Sequence, residues 1–555
     1  MKRSRKERIQ FLKDNPDISV LIIGAGINGI GTFLDLSLQG VDVLMIDRND
    51  YCSGASSASS HMVHGGIRYL ENGEFRLVRE AVRERNHLLE NAPHLVKQLP
   101  TTFPIFKRFS GIFNAPLKFL GLLDKPSERG ALVIKIGMML YDFYTRKQKT
   151  VPRHEFFNNA DSLKLFPKLN PEIIYTGTYY DGSMPSPERI AIELISDATV
   201  ENSQAIPLNY SSAISVDGDT VTIRDDIEGL ITTVKPKVLI NAGGPWIDQV
   251  NQFFGKETDY IQGTKGSHII VDNPELREAI GENEFFFEND DGRIVLINPL
   301  EDKVLIGTSD IEVDNPDQTT ITDDEVSYFI DMVKKVFPAI NLNPSQIVFT
   351  FSGVRPLTNS KASLTGQISR DHKIKIDEPG EKTSFPIYSL VGGKWTTYRA
   401  FSEMVSDLVL QRLGKVRKRS TMNYKIGGGK EYPKTDNEKE LFFSKVLDQK
   451  DINEYRLITL FSRYGTRVTG MLKDVDTHND SPMKQYPDIC SNEIKHIAAN
   501  EDVVHLDDFI FRRSLVGKLG RVTEVGLEEI GSIAAQSLGW DDQKRSDMFD
   551  FIGTD

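Results

Sequence analysis

A glycine motif near the start of the chain has the spacing that binds a dinucleotide. In Gly24-Ala-Gly26-Ile-Asn-Gly29 the first glycine permits a tight turn, the second lets the backbone approach a pyrophosphate, and the third lets a helix pack closely on a strand. Asp47 follows 23 residues after Gly24 and is placed to accept a hydrogen bond from a ribose hydroxyl. The motif therefore predicts a dinucleotide with an unphosphorylated adenosine ribose, and it leaves FAD and NAD open as the cofactor.

A second segment, residues 53–70, is rich in serine and glycine and contains His64 and Arg68. Small hydroxyl side chains and glycines could wrap a pyrophosphate and let the backbone approach a flat ring, beside which His64 and Arg68 would stand. A surface loop with a hydrogen-bonded histidine is the alternative interpretation of this segment alone.

Three later segments also combine glycines with polar or basic residues, and each follows a predicted strand. Residues 241–246 and 392–399 combine glycines with a helix start, and the second of them contains Lys394. Residues 352–357 add Arg355. Such segments can point backbone N–H groups and cationic side chains at a cofactor or an anionic substrate. None of the three is specific by itself.

The elements that must position these residues begin with a β-α-β unit. Apolar, β-branched runs predict strands over 18–23 and 41–46, with a helix over 30–39 between them. Helical spacing of apolar residues predicts a second helix over 75–90. Further strands are predicted over 220–223, 238–241, 267–271, 294–297, 304–307 and 388–391. Because strands recur far beyond the first unit, we expect the first domain to be built from discontinuous segments, whereas the polar sequence after Gly414 predicts a helical domain.

Composition excludes several classes of protein. The chain has 555 residues, a net charge of −12 and two cysteines, Cys52 and Cys490. Two cysteines are too few for a disulfide scaffold or a cysteine-rich metal site, and we expect no metal. The acidic balance argues against a nucleic-acid partner. Neither a signal-peptide core nor an apolar run of 18 residues is present, so a cytoplasmic protein without a transmembrane helix is expected.

Two regions leave contact with a membrane surface open. Residues 1–16 hold six basic and two acidic residues and are interpreted as a solvated basic arm, with an arm attracted to anionic lipid as the alternative. Residues 109–123 and 131–144 are apolar with interspersed lysines. Buried packing or an interfacial amphipathic patch would each explain them.

Taken together, the segments resemble the FAD-dependent glycerol-3-phosphate dehydrogenases and oxidases, within the glycine-oxidase-like flavoprotein superfamily. The resemblance covers about residues 18–550 and is specific because many motifs recur in the family's order. The matching segments are residues 22–29, 64–71, 241–246, 264–268, 306–310, 352–357 and 392–399, with 464–472 and 508–513 in the tail.

The resemblance implies an α/β + α fold: a discontinuous Rossmann-like FAD-binding domain, a mixed-sheet substrate domain and a C-terminal helical domain. The FAD-binding domain is expected to comprise residues 1–100, 185–255 and 351–415. The substrate domain is expected to comprise 101–184 and 256–350, and the helical domain 420–555.

The resemblance also implies oxidation of sn-glycerol 3-phosphate to dihydroxyacetone phosphate, with hydride transfer to N5 of FAD and electrons passed to a quinone. A peripheral position on the inner face of the cytoplasmic membrane would suit that acceptor. Carried over by position, the substrate-side residues are His64, Arg68, Arg355 and Lys394, with Tyr69, Lys265 and Thr397 as additional substrate-binding candidates. The FAD-side residues are Gly24, Gly26, Gly29, Asp47, Ser57, Ala242, Gly243, Gly393 and Thr396.

Within that resemblance, the chemistry assigns roles to the polar residues. Oxidation of a secondary alcohol needs a proton acceptor, and an unperturbed imidazole titrates near neutrality with a pKa of ~6.5, which favours His64. A phosphate dianion is best held by bidentate guanidinium contacts, which favours Arg68 and Arg355. Lys394 could hold the substrate oxygens or support the developing carbonyl, with Lys265 as the alternative.

Alternatives remain in the substrate, the acceptor and the assembly. Another alditol phosphate, such as erythritol phosphate, would bind to the same groups. The oligomeric state is also left open, with a homodimer as one alternative. The family usually has Lys where His61 stands and Thr where Gly243 stands. Oxidases of the family that use O₂ often carry an insertion between the Arg355 and Lys394 motifs, whereas here only 38 residues separate the two, which favours a dehydrogenase. A flavin-binding sensor without turnover is the alternative outside enzymes.

Overall fold

The structure is a computed structural model that describes residues 3–67, 74–107, 131–145, 150–289, 293–359, 371–473 and 480–540. Arg68 and Tyr69, and the predicted apolar patch over 109–123, lie outside these residues.

The first sheet carries the glycine motif. Its described strands run in the order β17-β18-β10-β1-β2-β7, with β9 on β10 and β8 on β9. The central strands β18, β10, β1, β2 and β7 are parallel, and β17 is antiparallel to β18. The bounds are β1 Asp17–Ile23, β2 Val43–Ile46, β7 Ala205–Leu208, β8 Ser211–Asp217, β9 Thr220–Asp225, β10 Ile231–Asn241, β17 Lys373–Asp377 and β18 Ile387–Val391.

The second sheet is mixed and carries Arg355. Its described strands run in the order β15-β11-β14-β13-β12-β4-β6-β3, with β16 on β11 and β5 on β6. The bounds are β3 Met62–Val63, β4 Lys97–Ile105, β5 Glu155–Asn158, β6 Tyr175–Ser183, β11 Ile261–Val271, β12 Glu284–Glu288, β13 Ile294–Leu300, β14 Lys303–Gly307, β15 Ile311–Glu312 and β16 Ile347–Thr358.

Helices cover both sheets and form the C-terminal region. Side chains of α2, α6 and α10 pack on one face of the first sheet, and those of α1 lie on the other. Those of α8 and α9 pack on the second sheet. The bounds are α1 Arg5–Asp14, α2 Ile27–Leu38, α3 Phe75–Asn91, α4 Ala131–Thr145, α5 Asn159–Leu165, α6 Pro187–Glu201, α7 Ile247–Phe253, α8 Pro274–Ile280, α9 Asp323–Val336, α10 Tyr398–Arg412, α11 Asp436–Gln449, α12 Glu454–Tyr464, α13 Val468–Met471, α14 Ser491–Asn500 and α15 Glu524–Leu538, with a π-helical turn at Asp508–Arg513.

The predicted fold class is confirmed. Central strands β1 and β10 are buried along most of their length, as strands covered by helices on both faces should be. Both sheets are assembled from segments far apart in sequence, and every predicted strand lies within or overlaps an observed one. Strands β4 and β16 run across the expected domain boundaries at residues 100 and 350, and their pairing places both strands in the second sheet.

The interpretation of residues 1–16 as a solvated basic arm is wrong for Arg5 and Arg8. The segment forms α1, which a Ser4–Glu7 capping box starts. Arg8 is 4% exposed and forms an ion pair with Asp502, and Arg5 forms one with the buried Asp225. These two arginines therefore join α1 to the body of the protein.

Among the described helices, none combines the length and the apolar character needed to cross a membrane.

Candidate active site

The glycine motif forms a turn too tight for side chains. Gly24 has a φ of +105°, and a Cβ there would lie 2.5 Å from the Ala242 carbonyl oxygen. A Cβ on Gly29 would lie 2.0 Å from the Gly24 carbonyl oxygen. Gly26 precedes the first residue of α2 and has no side chain, so the N-cap residue itself places no atoms between the first turn of α2 and an approaching anion. The turn therefore fits the backbone approach that a pyrophosphate requires.

Asp47 follows β2 directly, beside this turn. Its carboxylate accepts hydrogen bonds from the Ala25 N–H (2.7 Å) and the Asn49 N–H (2.9 Å). Burial raises the pKa of Asp47 to about 6, although both amides favour the ionised form. The carboxylate thus joins the glycine turn to the loop after β2, at the place where the ribose of a dinucleotide would lie.

The serine-rich loop reaches the same helix end, but through a residue that sequence reasoning missed. The Ser56 hydroxyl accepts a hydrogen bond from the Ile27 N–H (2.9 Å). The predicted residue Ser57 instead donates to the Gly54 carbonyl within its own loop (2.9 Å). Two consecutive serines in a loop give no signal that would select Ser56 over Ser57.

Segments 241–243 and 392–396 meet the glycine turn from two other strands. The Ala242 N–H donates to the Ile23 carbonyl (2.8 Å), and Gly243 follows it at the end of β10. Gly393 has a φ of +99°, and a Cβ there would lie 2.5 Å from the Asn28 amide nitrogen. The Trp395 indole N–H donates to the Ser56 carbonyl (2.8 Å). The structure therefore brings these predicted segments together around the start of α2.

His64 lies on the chain that leaves the serine-rich loop through β3. Its backbone N–H donates to the hydroxyl of buried Thr396 (3.1 Å). Lys394, which is half-buried, and Thr397, which is buried at the start of α10, flank Thr396 in sequence. The Thr396 hydrogen bond thus joins a predicted substrate-side residue to a predicted FAD-side residue.

A buried polar network, which sequence reasoning also missed, holds the next residue. The Gly65 N–H donates to the Tyr141 hydroxyl and to the Asp181 carboxylate, each at 3.0 Å. The Tyr141 hydroxyl donates to Asp181, and the Arg85 guanidinium contacts both. A Cβ on Gly65 would lie 2.2 Å from the Tyr141 hydroxyl, so only glycine fits there. Three elements, α3, α4 and β6, therefore converge beside His64.

Arg355 lies on β16, and its side chain extends over the neighbouring strand β11. Its guanidinium donates to the Thr308 hydroxyl (2.6 Å) and the Ser309 carbonyl (3.1 Å), and it contacts the Asp310 carboxylate (3.3 Å). A Cβ on Gly266 would lie 2.0 Å from it, so the glycine gives the guanidinium its space. About a quarter of the Arg355 side chain is exposed.

The face of the second sheet that carries Arg355 is turned towards the serine-rich loop. Gly353 shares that face because alternate strand residues point the same way, and a Cβ on Gly353 would lie 2.5 Å from the Ala58 Cβ. On β11, the His268 ring hydrogen-bonds the Ser60 hydroxyl (2.8 Å). The loop therefore lies between the glycine turn and the face that carries Arg355.

Lys265 lies on the opposite face of the same sheet. Its ammonium is buried and donates to the Glu325 carboxylate (2.9 Å) and the Thr320 carbonyl (2.6 Å). Against the effect of burial, hydrogen bonds from Lys265, Ser309 and Ser267 lower the pKa of Glu325 to about 2. Lys265 thus neutralises the buried Glu325 of α9, on the face of the sheet away from Arg355.

The glycine turn, the acid after the second strand and the two further strand ends that meet the turn together define a dinucleotide-binding fold. The chain matches the family described as FAD dependent oxidoreductase over residues 19–380. It matches the family described as C-terminal domain of alpha-glycerophosphate oxidase over residues 419–545.

Similar proteins agree with both matches. A Synechocystis glycerol-3-phosphate dehydrogenase is 33% identical over 483 residues, which are 82% of this chain and 81% of the relative. An aerobic glycerol-3-phosphate dehydrogenase of Staphylococcus epidermidis is 28% identical over 93% of this chain and 89% of its own. The chain therefore belongs to the FAD-dependent glycerol-3-phosphate dehydrogenase family, and its cofactor is FAD.

The fold also matches a solved structure over almost its whole length. The glycerol-3-phosphate dehydrogenase from Bacillus halodurans, complexed with FAD, superposes with a TM-score of 0.74 at 22% identity. The match covers 99% of this chain and 96% of that one. The tight glycine turn before α2, with no side chain at Gly24, Gly26 or Gly29, is a feature of this chain that fits the pyrophosphate of FAD.

Proposed function

We propose that the protein oxidises sn-glycerol 3-phosphate to dihydroxyacetone phosphate. The observation that carries this proposal is the position of residues 53–64. This segment contacts the glycine turn through Ser56, contacts the Arg355 face through Ala58 and Ser60, and ends at His64. A proton acceptor and a phosphate-binding guanidinium thus flank the loop that approaches the cofactor.

In this proposal FAD supplies the hydride acceptor, and the chain supplies binding and proton transfer. Gly24, Gly26, Gly29 and Asp47 hold the adenosine and pyrophosphate parts of FAD, supported by Ala242, Gly243, Gly393 and Thr396. The His64 imidazole takes the proton of the substrate hydroxyl, and Arg355 binds the phosphate. Lys394 and Thr397 are assigned the role of orienting the remaining substrate oxygens, as the family resemblance implies. Arg68 and Tyr69 are proposed from the resemblance alone.

Anaerobic addition of polyol phosphates to the purified protein tests the proposal. Glycerol 3-phosphate should bleach the flavin absorbance near 450 nm, and it should do so faster than erythritol phosphate, because the hydride enters the flavin only from a correctly held alcohol. Faster bleaching by erythritol phosphate would assign the other alditol phosphate. If no polyol phosphate bleaches the flavin, the interpretation as an enzyme of this class is wrong and a sensor becomes the better proposal.

We further propose that a quinone at a membrane surface accepts the electrons. This is supported by α4, where Ile136, Met139, Leu140 and Phe143 are between 37% and 56% exposed. Helical spacing places these four side chains on one face, whereas Met138 and Tyr141 are buried on the other. An apolar face of this kind suits the boundary between head groups and acyl chains. Rapid peroxide release on substrate addition in air would instead favour O₂ as the acceptor.

Substitution of Phe143 by Glu should weaken binding to anionic phospholipid vesicles by about tenfold or more, because burying a phenylalanine side chain contributes roughly 1.5–3 kcal/mol. Co-sedimentation with vesicles measures this. The matched control is Leu441→Glu, which changes a 64% exposed apolar residue on α11. Equal loss of binding in both variants, or in neither, would argue against α4 as the contact.

A further inference from the structure

The loop that begins at Asp47 is held from the C-terminal region by buried charges. Asp50 lies three residues after Asp47 and is 1% exposed. The Arg513 guanidinium donates two hydrogen bonds to its carboxylate (2.7 and 2.9 Å). The Arg512 Nε donates a third (2.6 Å), and the Asn209 amide a fourth (2.9 Å). The Asp50 carboxylate is therefore fully engaged, mostly by residues more than 450 positions away.

The neighbouring residue of the loop is held in the same way. The Tyr51 hydroxyl donates to the Asp502 carboxylate (3.1 Å), which also forms a bidentate pair with Arg8 of α1 (2.8 and 2.9 Å). The Asn209 amide donates to the Asp502 carbonyl as well (2.9 Å). Helix α1, residue 209 and the C-terminal region thus converge around Asp50 and Tyr51.

The same loop contacts the glycine turn on its other side. The Cys52 N–H donates to the Ala25 carbonyl (2.8 Å), and the Asp47 carboxylate accepts from the Ala25 N–H. The Ser53 hydroxyl donates to the Asp50 carbonyl (2.7 Å), at the start of the serine-rich segment. Residues 47–53 therefore contact the glycine turn on one side and the C-terminal region on the other.

Removal of the arginines would leave this loop with an unpaired buried charge. A carboxylate as buried as Asp50 stays ionised only while cations and donors surround it. Burial opposes ionisation of Asp50, but the charges of Arg513 and Arg512 more than compensate and hold its pKa below the usual range. Without them Asp50 would have to move towards water or gain a proton, and in either case the contacts that hold Asp50 to Arg512 and Arg513 are lost.

We propose that Arg512 and Arg513 are positioning residues for FAD, so that the C-terminal helical domain clamps the loop over residues 47–53 in the conformation that binds the adenosine end of the cofactor. This function for the domain rests on the proposed placement of the FAD ribose at Asp47. It gives the domain a part in cofactor retention although none of its residues belongs to the proposed site.

Equilibrium release of FAD from the holoenzyme tests the clamp. The fluorescence of free FAD, measured over a dilution series, gives the dissociation constant without any turnover. We expect Arg513→Gln to raise that constant by at least about tenfold, because charge-assisted hydrogen bonds to a buried carboxylate are lost. Arg513→Lys keeps the charge but loses the bidentate geometry, and it should lie between Gln and the wild type.

The matched control separates the clamp from general destabilisation. Arg456 is 7% exposed and pairs with the buried Glu493 (3.0 Å) within the C-terminal region, away from the loop. Arg456→Gln should lower the unfolding temperature as Arg513→Gln does, but leave the FAD dissociation constant unchanged. An FAD dissociation constant within twofold of the wild type in Arg513→Gln would overturn the proposal.

A second variant decides the matter if Arg513→Gln does not fold. Arg512 is partly exposed, so Arg512→Gln is the milder change, and the same increase in FAD dissociation is expected. Asp47→Ala is measured in parallel. Wild-type affinity in Asp47→Ala would contradict the placement of the ribose, whereas weak binding in Asp47→Ala with wild-type binding in both arginine variants would contradict the clamp alone.

Discussion

Replacement of His64 by Ala should lower kcat by about 10²- to 10⁴-fold, the range that a positioned general base contributes. The expected cause is loss of the imidazole that takes the proton of the substrate hydroxyl as hydride leaves. The backbone N–H of residue 64 is still present in the variant and can still donate to the Thr396 hydroxyl, so the loop should keep its position. Steady-state kinetics with glycerol 3-phosphate and a dye acceptor measure the effect.

Flavin content and pH dependence distinguish this result from a collapsed site. His64→Ala should retain FAD at the wild-type ratio, and the acidic limb of the kcat–pH profile that reports the general base should disappear. His496→Ala, a histidine on α14 in the C-terminal region, is the control and should keep full activity. Full activity of His64→Ala across pH would exclude His64 as the base.

Much of the FAD-binding half could be predicted because its signals are local. A buried strand, three glycines and an acid at a set distance are consecutive in sequence, and the observed β1, α2 and β2 follow them. The predicted helix began at residue 30, whereas α2 begins at Ile27, because the Ser56 hydroxyl caps it. Ser56 lies 29 residues after Ile27, so no local sequence pattern predicts this contact.

The residues that hold the site in place could not be predicted either, because their partners are also far away in sequence. Tyr141, Asp181 and Arg85 come from three elements, and only the folded chain brings them to Gly65. Asp50 and Arg513 carry no motif, and their pairing depends on how two domains dock. Lys265 was a candidate for substrate binding, but it lies on the sheet face opposite Arg355. A strand points successive side chains to opposite faces, and the motif over residues 264–268 does not indicate which face meets the cofactor.

The register of β11 and β16 nonetheless makes Arg355 the clearest test of substrate class. Thr264 pairs with Arg355, and the glycines at 266 and 353 on the same face leave room beside the guanidinium. A planar, permanently charged guanidinium suits the oxygens of a phosphate, whereas an uncharged polyol would gain little from it. The effect of losing Arg355 should therefore depend on whether the substrate carries a phosphate.

Substitution of Arg355 by Ala should raise KM for glycerol 3-phosphate by about 10- to 100-fold, since a hydrogen bond to a charged group contributes roughly 1.5–3 kcal/mol. Turnover of unphosphorylated glycerol, however slow, should change much less, and the FAD content should not change. Lys265→Met is the contrasting variant: it should lower the unfolding temperature by leaving Glu325 unpaired, but keep KM near the wild-type value. If Lys265→Met raised KM as much as Arg355→Ala, the phosphate would have to be bound on the face towards α9, and the assignment of Arg355 would be wrong.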